Sequence, residues 1–397
     1  MDILKLIKLL DAGLPAEIEF LFNSAENLSI NKLQKLKAEN PQIPWSELIT
    51  QKELRQKAKS KFDDPANMLF TRKGLEQSSS EVLANYHYRK CQNAESIADL
   101  CCGIGSDLRL IAIDKEVVYA FDLDDVTLQC AQYNCRHLPQ ITFLREPAES
   151  FCQKVNLIFA DPDRRIDNRR SIDPETMSPT LSFLLSVFFE KKLSDKMLIK
   201  LAPALDYKAV EREYFLQGAK FPEANYHWEF ISENGVLKEI LLCLGFSDNS
   251  DSRRAVLLPQ SLQLSGSGNE HIPLSRWQKY IFEPDNAVIR SGLVQKLGLE
   301  LGYQLIDNHI ALLTGKTAVS QDFGKLYRVI EVFPWNLKFL RKYVRDRDIG
   351  ELIIKTRGFP QSSEKILQQF KLKGTGKMTI IITRIGSSHQ VAVLEQF

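Results

Sequence analysis

No stretch of this chain supplies the roughly 18 or more apolar residues that a membrane helix needs. The longest apolar run, Leu181–Phe189, is broken by two serines. The opening MDILKLIKLL places lysines at 5 and 8 among its apolar residues and offers no small-residue cleavage site. Ile3, Leu6, Ile7 and Leu10 share one helical face, so this stretch reads as an amphipathic helix rather than a secretion signal. Cysteine is scarce and odd in number, seven in 397 residues, which argues against a disulfide framework and for reduced thiols in the cytoplasm. Cys130 and Cys135 stand five apart, not at zinc spacing, and the six histidines are scattered, so no metal site is expected. Internal repeats and low-complexity tracts are missing too.

Net charge is nearly absent, at +2, but it is unevenly spread. From Lys325 to Phe397 fourteen Lys and Arg face six Asp and Glu, a surplus of eight, so everything before Lys325 carries a deficit of six. A basic module on a slightly acidic body suits a polyanionic partner such as nucleic acid. A solvated charged face is the simpler alternative. At 44% hydrophobic and 26% charged, the chain has ample material for a folded core.

Residues 1–64 carry apolar positions at helical spacing, interrupted at Pro15, Pro41 and Pro44. From about 65 to 260 short aliphatic runs alternate with helical stretches. SIADL (96–100), VVYAFD (117–122), ITFL (141–144), VNLIFAD (155–161) and MLIKLA (197–202) read as strands, with helices expected over 107–113, 126–136 and 181–193. Such alternation predicts an α/β fold with a parallel sheet covered by helices on both faces. After MLIKLA the pattern turns antiparallel. Asn234-Gly235 marks a hairpin, and RRAVLLP (253–259) follows as a further strand, so two hairpins are possible. The polar joint SLQLSGSGNEHIP (261–273) is the expected domain boundary. Beyond it lie a small module at 274–326 with a helix over 285–297, and a basic α/β module at 327–397 with about four strands and a basic helix over 335–346.

The chemistry concentrates in SIADLCCGIGSDLRLIA. A strand ends at Asp99-Leu100, and a turn through Cys101, Cys102, Gly103, Ile104 and Gly105 leads into a helix. Glycines at 103 and 105 let backbone approach a ligand closely. A dinucleotide fingerprint would need a third glycine at 108, where Leu108 stands. The arrangement instead suits a smaller adenosyl ligand, with Asp99 accepting from an ammonium and one of the cysteines near the methionine part. Asp122, at the end of the next strand, can take both ribose hydroxyls, and Leu123 can cover an adenine face. At the end of the fourth strand ADPDRR (160–165) provides Asp161, which Pro162 holds in an extended conformation. With nearby carbonyls its carboxylate can take the protons of a planar amine and free the nitrogen lone pair. Arg164, Arg165, Arg169 and Arg170 add a cationic cluster suited to phosphate. Trp335 is expected in the core of its module, with base stacking as the alternative.

Together D-L-C-C-G-I-G, A-F-D-L-D-D and A-D-P-D-R-R resemble motifs I, II and IV of class I S-adenosylmethionine-dependent methyltransferases. LFTRKGLEQSSSEVLANYHYRK (69–90) and LIKLAPALDY (198–207) narrow the resemblance. They are similar to a bacterial family whose methyltransferase domain precedes a ferredoxin-like and a THUMP-like domain. Its catalytic core is akin to RNA guanine-N2 methyltransferases of the trimethylguanosine-synthase type. FEPDNAVIRSGL (282–293) and EVFPWNLKFLRKY (331–343) extend the likeness, which covers residues 65–397.

The resemblance implies a Rossmann-like sheet, parallel with an antiparallel hairpin at one edge, after a helical N-terminal region. It implies S-adenosyl-L-methionine as cofactor and RNA, either tRNA or rRNA, as partner, with methyl transfer to a base nitrogen. Asp161, Pro162 and Asp163 are the candidate catalytic residues. Asp99, Cys101, Gly103, Gly105, Asp122, Leu123 and Glu146 are the candidates for the cofactor, and Arg164, Arg165 and Lys200 for the substrate. Where amine methyltransferases of this superfamily read Asp/Asn-Pro-Pro-aromatic, this chain reads Asp161-Pro162-Asp163-Arg164-Arg165, without the stacking aromatic. The acidic residue of motif III falls within Arg145-Glu146-Pro147-Ala148-Glu149, with proline at the usual place. Methylation of DNA or protein, and cofactor-sensing RNA binding without turnover, are the alternative functions.

Overall fold

A computed structural model describes residues 3–23, 29–163, 165–166, 169–170, 173–246 and 252–396, with backbone alone between 165 and 170. Four helices open the chain: α1 (Ile3–Ala12), α2 (Ala16–Asn23), α3 (Ile30–Glu39) and α4 (Trp45–Ala58). The break between α1 and α2 holds Pro15 and that between α3 and α4 holds Pro41 and Pro44, which cannot donate a backbone hydrogen bond within a helix. These helices bury Ile3, Leu6, Ile18, Phe22, Leu36, Leu48 and Leu54 in one core with Phe70, Ile104 and Cys130. The helical region is therefore not a separate body, because it shares its core with the glycine turn at Ile104. On α4, Gln51 exchanges two hydrogen bonds with the backbone of Phe70, at 2.6 and 2.9 Å, and Arg55 donates to the Met68 carbonyl at 2.9 Å. Both side chains are buried and satisfy an extended segment that leads into α5 (Arg72–Gln77) and α6 (Glu81–Cys91). Thr71 and Ser80 cap those two helices.

The chain divides into two units, residues 1–226 with 241–247 and residues 227–240 with 248–397. In the first, β1 (Ser96–Asp99), β2 (Val117–Phe121), β3 (Ile141–Leu144), β4 (Val155–Ala160) and β5 (Ser194–Leu201) form parallel pairs in the order β5-β4-β1-β2-β3. The chain steps from β1 outward to β3, then crosses to β4 on the other side. That reversal opens a crevice at the carboxyl ends of β1 and β4, where ligands of open α/β sheets bind. Three helices lie along this stretch, α7 (Leu108–Ile111), α8 (Asp125–Asn134) and α9 (Leu181–Phe189). Another, α10 (Tyr207–Val210), follows β5 and runs directly into a π turn at Glu211–Phe215.

The second unit holds most of the expected hairpin, β6 (Tyr226–Glu233) and β7 (Val236–Leu244), turning at Asn234 and Gly235 with φ +51° and +79°. Both residues sit in the left-handed region that a two-residue hairpin turn demands. The next strand, β8 (Arg253–Leu258), pairs with β6 in parallel rather than forming a simple second hairpin with β7, and β9 (Leu262–Gly266) then pairs antiparallel with β8. β6, β7 and β8 were expected within the 65–260 domain, yet most of their residues group with the C-terminal half, and β9 lies in the stretch expected as a polar joint.

The rest of this unit is one seven-stranded sheet. Its strands are β10 (Tyr280–Pro284), β11 (Gln304–Asp307), β12 (Ile310–Gly315), β13 (Gly324–Pro334), β14 (Ile349–Arg357), β15 (Gly376–Ile385) and β16 (Ser388–Gln396), in the order β11-β12-β10-β13-β16-β15-β14. The expected helix over 285–297 is two, α11 (Asn286–Ser291) and α12 (Val294–Leu301), parted by Gly292. The joint expected at 326/327 falls inside β13, which pairs with β10 on one side and β16 on the other. Two cores result, one around Ile281, Tyr327 and Ile381, the other around Leu340, Ile366 and Ile380 under α13 (Leu337–Asp346) and α14 (Ser363–Leu367). Trp335 packs edge-on against Phe359 at 4.9 Å, in its expected structural role. Among the described residues no helix is long and apolar enough to cross a membrane.

Candidate active site

Backbone and carboxylates interlock where β1 and β2 end. The Cys101 N–H donates to Asp99 Oδ1 at 3.1 Å, and the Gly103 N–H to Asp122 Oδ2 at 3.1 Å. The Asp124 N–H donates to Asp122 Oδ1 at 2.8 Å, so both oxygens of Asp122 are oriented by backbone. Gly103 has φ +55°, and a Cβ there would meet nothing within 4 Å. Gly105, at φ +79°, serves packing instead, since a Cβ would come within 3.1 Å of Cys135 Sγ and 3.3 Å of Ala131 Cα on α8. One glycine thus leaves space open and the other closes it. Asn134 fixes the turn from below, donating to the carbonyls of Ile104 at 2.8 Å and Leu69 at 2.9 Å.

Carboxylates dominate the electrostatics. Burial pushes the Asp99 carboxyl well above its ordinary range, and the charges of Asp107 and Asp161 add to this against the Cys101 N–H and Lys200. Burial likewise raises Asp122, opposed by its two backbone donors. The Cys101 thiol is pushed well up by burial and by Asp99, Asp161, Asp122 and Glu149, so it is a poor nucleophile. Glu149 thereby belongs to this group of charges. Glu146, the expected candidate, is exposed and accepts from Ser150 Oγ at 2.8 Å; the short 3-10 turn Ala148–Ser150 after Pro147 separates the two. Leu123 lies beside Asp122 and is 59% exposed, so its apolar face is uncovered.

Beneath Asp161 lies a buried polar network. Lys200, on the second-last residue of β5, donates from Nζ to Asp161 Oδ2 at 2.6 Å, to Ser79 Oγ at 2.8 Å and to Asp107 Oδ2 at 3.3 Å. Ser79 Oγ donates to Asp107 Oδ2 at 2.8 Å, and His87 Nδ1 meets Asp107 Oδ1 at 2.7 Å. Burial alone would raise Asp107, but Lys200 and His87 outweigh it and hold the carboxylate below the usual range. Lys200 was expected to contact substrate. Its side chain is only 7% exposed and committed to these partners, which removes it from any surface that a phosphate could reach. Asp107, Ser79 and His87 escaped sequence reasoning as site residues, although Ser79 and His87 lie within the 69–90 stretch and Asp107 directly follows the glycine turn.

The remaining candidates divide. Pro162 is buried, behind a half-buried Asp161. Asp163 is turned away from a free catalytic role, because Lys73 Nζ donates to its Oδ2 at 2.7 Å and Gln77 Nε2 to its Oδ1 at 3.2 Å. Its backbone exchanges hydrogen bonds with Ser178, at 3.1 and 3.0 Å. Asp163 therefore ties the loop to α5. Arg164 lies outside the described residues, as do the side chains of Arg165, Arg169 and Arg170.

With this geometry in view, the likenesses to known proteins become informative. A protein of Porphyromonas gingivalis W83, solved in the crystal as a suspected methyltransferase, superposes with a TM-score of 0.73 at 19% identity, covering 98% of this chain and 95% of its own. The chain has the class I methyltransferase fold. A family model described as THUMP domain-like matches residues 324–396, so that fold carries a THUMP-like domain at the C-terminal end. An uncharacterized S-adenosylmethionine-dependent methyltransferase of Mycobacterium tuberculosis, found in strains CDC 1551 and H37Rv, is 26% identical over 352 residues, 87% of this chain and 93% of its own.

The basic residues of the THUMP-like domain differ in their pairing. Lys355 and Arg357 both pair with Glu283, four strands along in the sheet order, and Arg328, Arg347 and Lys377 pair with Glu395, Glu331 and Glu351. Lys338, Arg341 and Lys342 of α13 are exposed and have no ion-pair partner among the described residues. Lys325, Lys365, Lys371 and Lys373 are exposed as well, so the three on α13 are part of the exposed cations of this domain.

Proposed function

We propose that this protein is an S-adenosylmethionine-dependent methyltransferase acting on RNA, at an exocyclic base nitrogen of the guanine-N2 kind. The observation that carries the reading is the set of aspartates at neighbouring strand ends, Asp99 and Asp122 held by the Cys101 and Gly103 N–H groups and Asp161 after β4, beside the open space at Gly103. A site so rich in negative charge suits a ligand bearing a sulfonium and an ammonium, and the cradle at Gly103 has room for its adenosyl part. The similar protein of M. tuberculosis bears the matching activity in its name.

The bound cofactor supplies the electrophilic methyl group. Asp122 takes the ribose hydroxyls, Asp99 the ammonium, and Leu123 lies against the adenine. Asp161, set by Pro162 at the mouth of the crevice, accepts an N–H of the target amine and leaves the lone pair aimed at the methyl carbon. Alignment of this kind contributes roughly 7–11 kcal/mol to bimolecular reactions held in near-attack geometry. Arg164 and Arg165, which follow Asp163 in the sequence, are proposed to hold phosphate. Residues 65–260 supply the transfer site, and the modules at 274–326 and 327–397, sharing β13, present a tRNA or rRNA through α13. Such a substrate sets the protein in the cytoplasm. Incubating the protein with methyl-labelled cofactor and separate RNA, DNA and protein fractions tests the reading. Label in RNA alone supports it; label only in DNA or protein, or cofactor binding with no transfer, refutes it.

A further inference from the structure

Lys200 occupies a position that its charge makes costly. An ammonium withdrawn from water loses several kcal/mol of solvation, which partners must restore. Here the partners are Asp161, Asp107 and Ser79, at 2.6, 3.3 and 2.8 Å. They come from three different places in the chain: the end of β4, the start of α7 and the turn before α6. His87, completely buried on α6, holds the other oxygen of Asp107. Asp99, at the end of β1, also acts on this group of charges, and Cys101 flanks it. Of these groups, Asp161 is the partly open one, with its side chain 30% exposed. Lys200 binds its Oδ2, while Oδ1 has no hydrogen-bond partner among the described residues.

The geometry points to Lys200 as a positioning residue for the transfer step: it locks one oxygen of Asp161 inside the protein and so presents the other to the incoming amine. The Ser79–Asp107–His87 chain holds Lys200 in turn. A carboxylate on a loop could otherwise rotate to bring both oxygens to solvent, or swing toward Arg and Lys side chains. The clamp removes that freedom before substrate arrives, and an acceptor fixed in advance costs no reorganisation during reaction. It also explains why a lysine lies buried beneath a crevice already crowded with aspartates. This role rests on the proposed methyl transfer and assigns Lys200 no contact with substrate.

Lys200→Met tests it, with Lys200→Gln carrying the same test if the methionine variant does not fold. Using the full chain and the RNA fraction that accepts label, kcat is expected to fall about 10²-fold. Adenosylmethionine affinity by calorimetry and KM for RNA are expected to stay within about threefold, so the loss falls on kcat alone. A purely structural lysine would weaken cofactor and RNA binding along with turnover; such a joint loss, or an unchanged kcat, overturns the inference. If the wild-type protein transfers no methyl group to any acceptor, the proposed function fails by itself. Crystal structures with adenosylmethionine then decide the role of Lys200. The Asp161 carboxylate should keep its place in the wild type and leave it in the variant, and an unmoved carboxylate would refute the clamp.

Discussion

Replacing Asp161 with alanine separates binding from chemistry. The substitution removes a carboxylate whose Oδ1 has no hydrogen-bond partner among the described residues, and it deprives Lys200 of its shortest contact, at 2.6 Å. Lys200 keeps Ser79 and Asp107, so the ammonium is not stranded. Asp99 and Asp122 hold their own backbone donors, at 3.1 Å from Cys101 and Gly103, and the substitution leaves those bonds in place. Cofactor affinity should therefore change little. Removing one well-placed polar contact to the reacting group slows enzymes by about 10²–10³-fold, or roughly 2.7–4 kcal/mol. Asp161→Asn keeps the size but turns an acceptor pair into a mixed donor and acceptor, so it should be nearly as slow. The assay is single-turnover transfer of labelled methyl to RNA, with calorimetry on the same preparations. Near wild-type turnover in Asp161→Ala would show that the amine is held elsewhere and leave only the cofactor site standing.

Further outcomes follow from other contacts. Asp122→Asn should weaken adenosylmethionine binding by about 1.5–3 kcal/mol, the worth of a hydrogen bond to a charged group, while leaving the fold intact; calorimetry reads this, and unchanged affinity would place the ribose elsewhere. Gly105→Ala should destabilise the protein more than Gly103→Ala, since both force a side chain to positive φ at roughly 1–2 kcal/mol but only the first meets Cys135 and Ala131; equal shifts in Tm would contradict the assigned roles. Changing Lys338, Arg341 and Lys342 together to alanine should weaken RNA binding and lower its dependence on log salt by about 2, near 0.7 for each lost phosphate contact to a single strand. An unchanged slope would make α13 a solvated face. Asp107 is held below its unfolded value, so its contribution to stability is present above about pH 4 and is lost as pH falls through the lower folded value. The Tm difference between wild type and Asp107→Asn should accordingly shrink as pH falls below 4, and a constant difference would contradict the network.

Local pattern carried much of the fold. ITFL reads as a strand over the residues that form β3, and SIADL, VVYAFD and VNLIFAD each differ from β1, β2 and β4 by a residue at the end. Those runs are aliphatic because both faces of a parallel sheet are buried, and the signal is contained within each segment. The turn at Asn234-Gly235 is legible for the same reason. Long-range pairing is not: nothing in RRAVLLP says that it lies parallel to β6, or that β13 runs through the expected joint. The site divides along the same line. Asp99, Asp122 and Asp161 follow from their places at strand ends, whereas Lys200 meets Ser79 across 121 residues of chain and Asp107 across 93. A lysine near the end of a strand looks like a surface cation until the fold supplies its burial.

The central claim is that this crevice methylates RNA at a base nitrogen. Mass spectrometry of nucleosides from total RNA, taken from cells with and without the gene and from cells carrying Asp161→Ala, tests it most directly. One N-methylated nucleoside should be lost on deletion, return with the wild-type gene and stay absent with Asp161→Ala. Identical nucleoside profiles in all these cells would contradict the account.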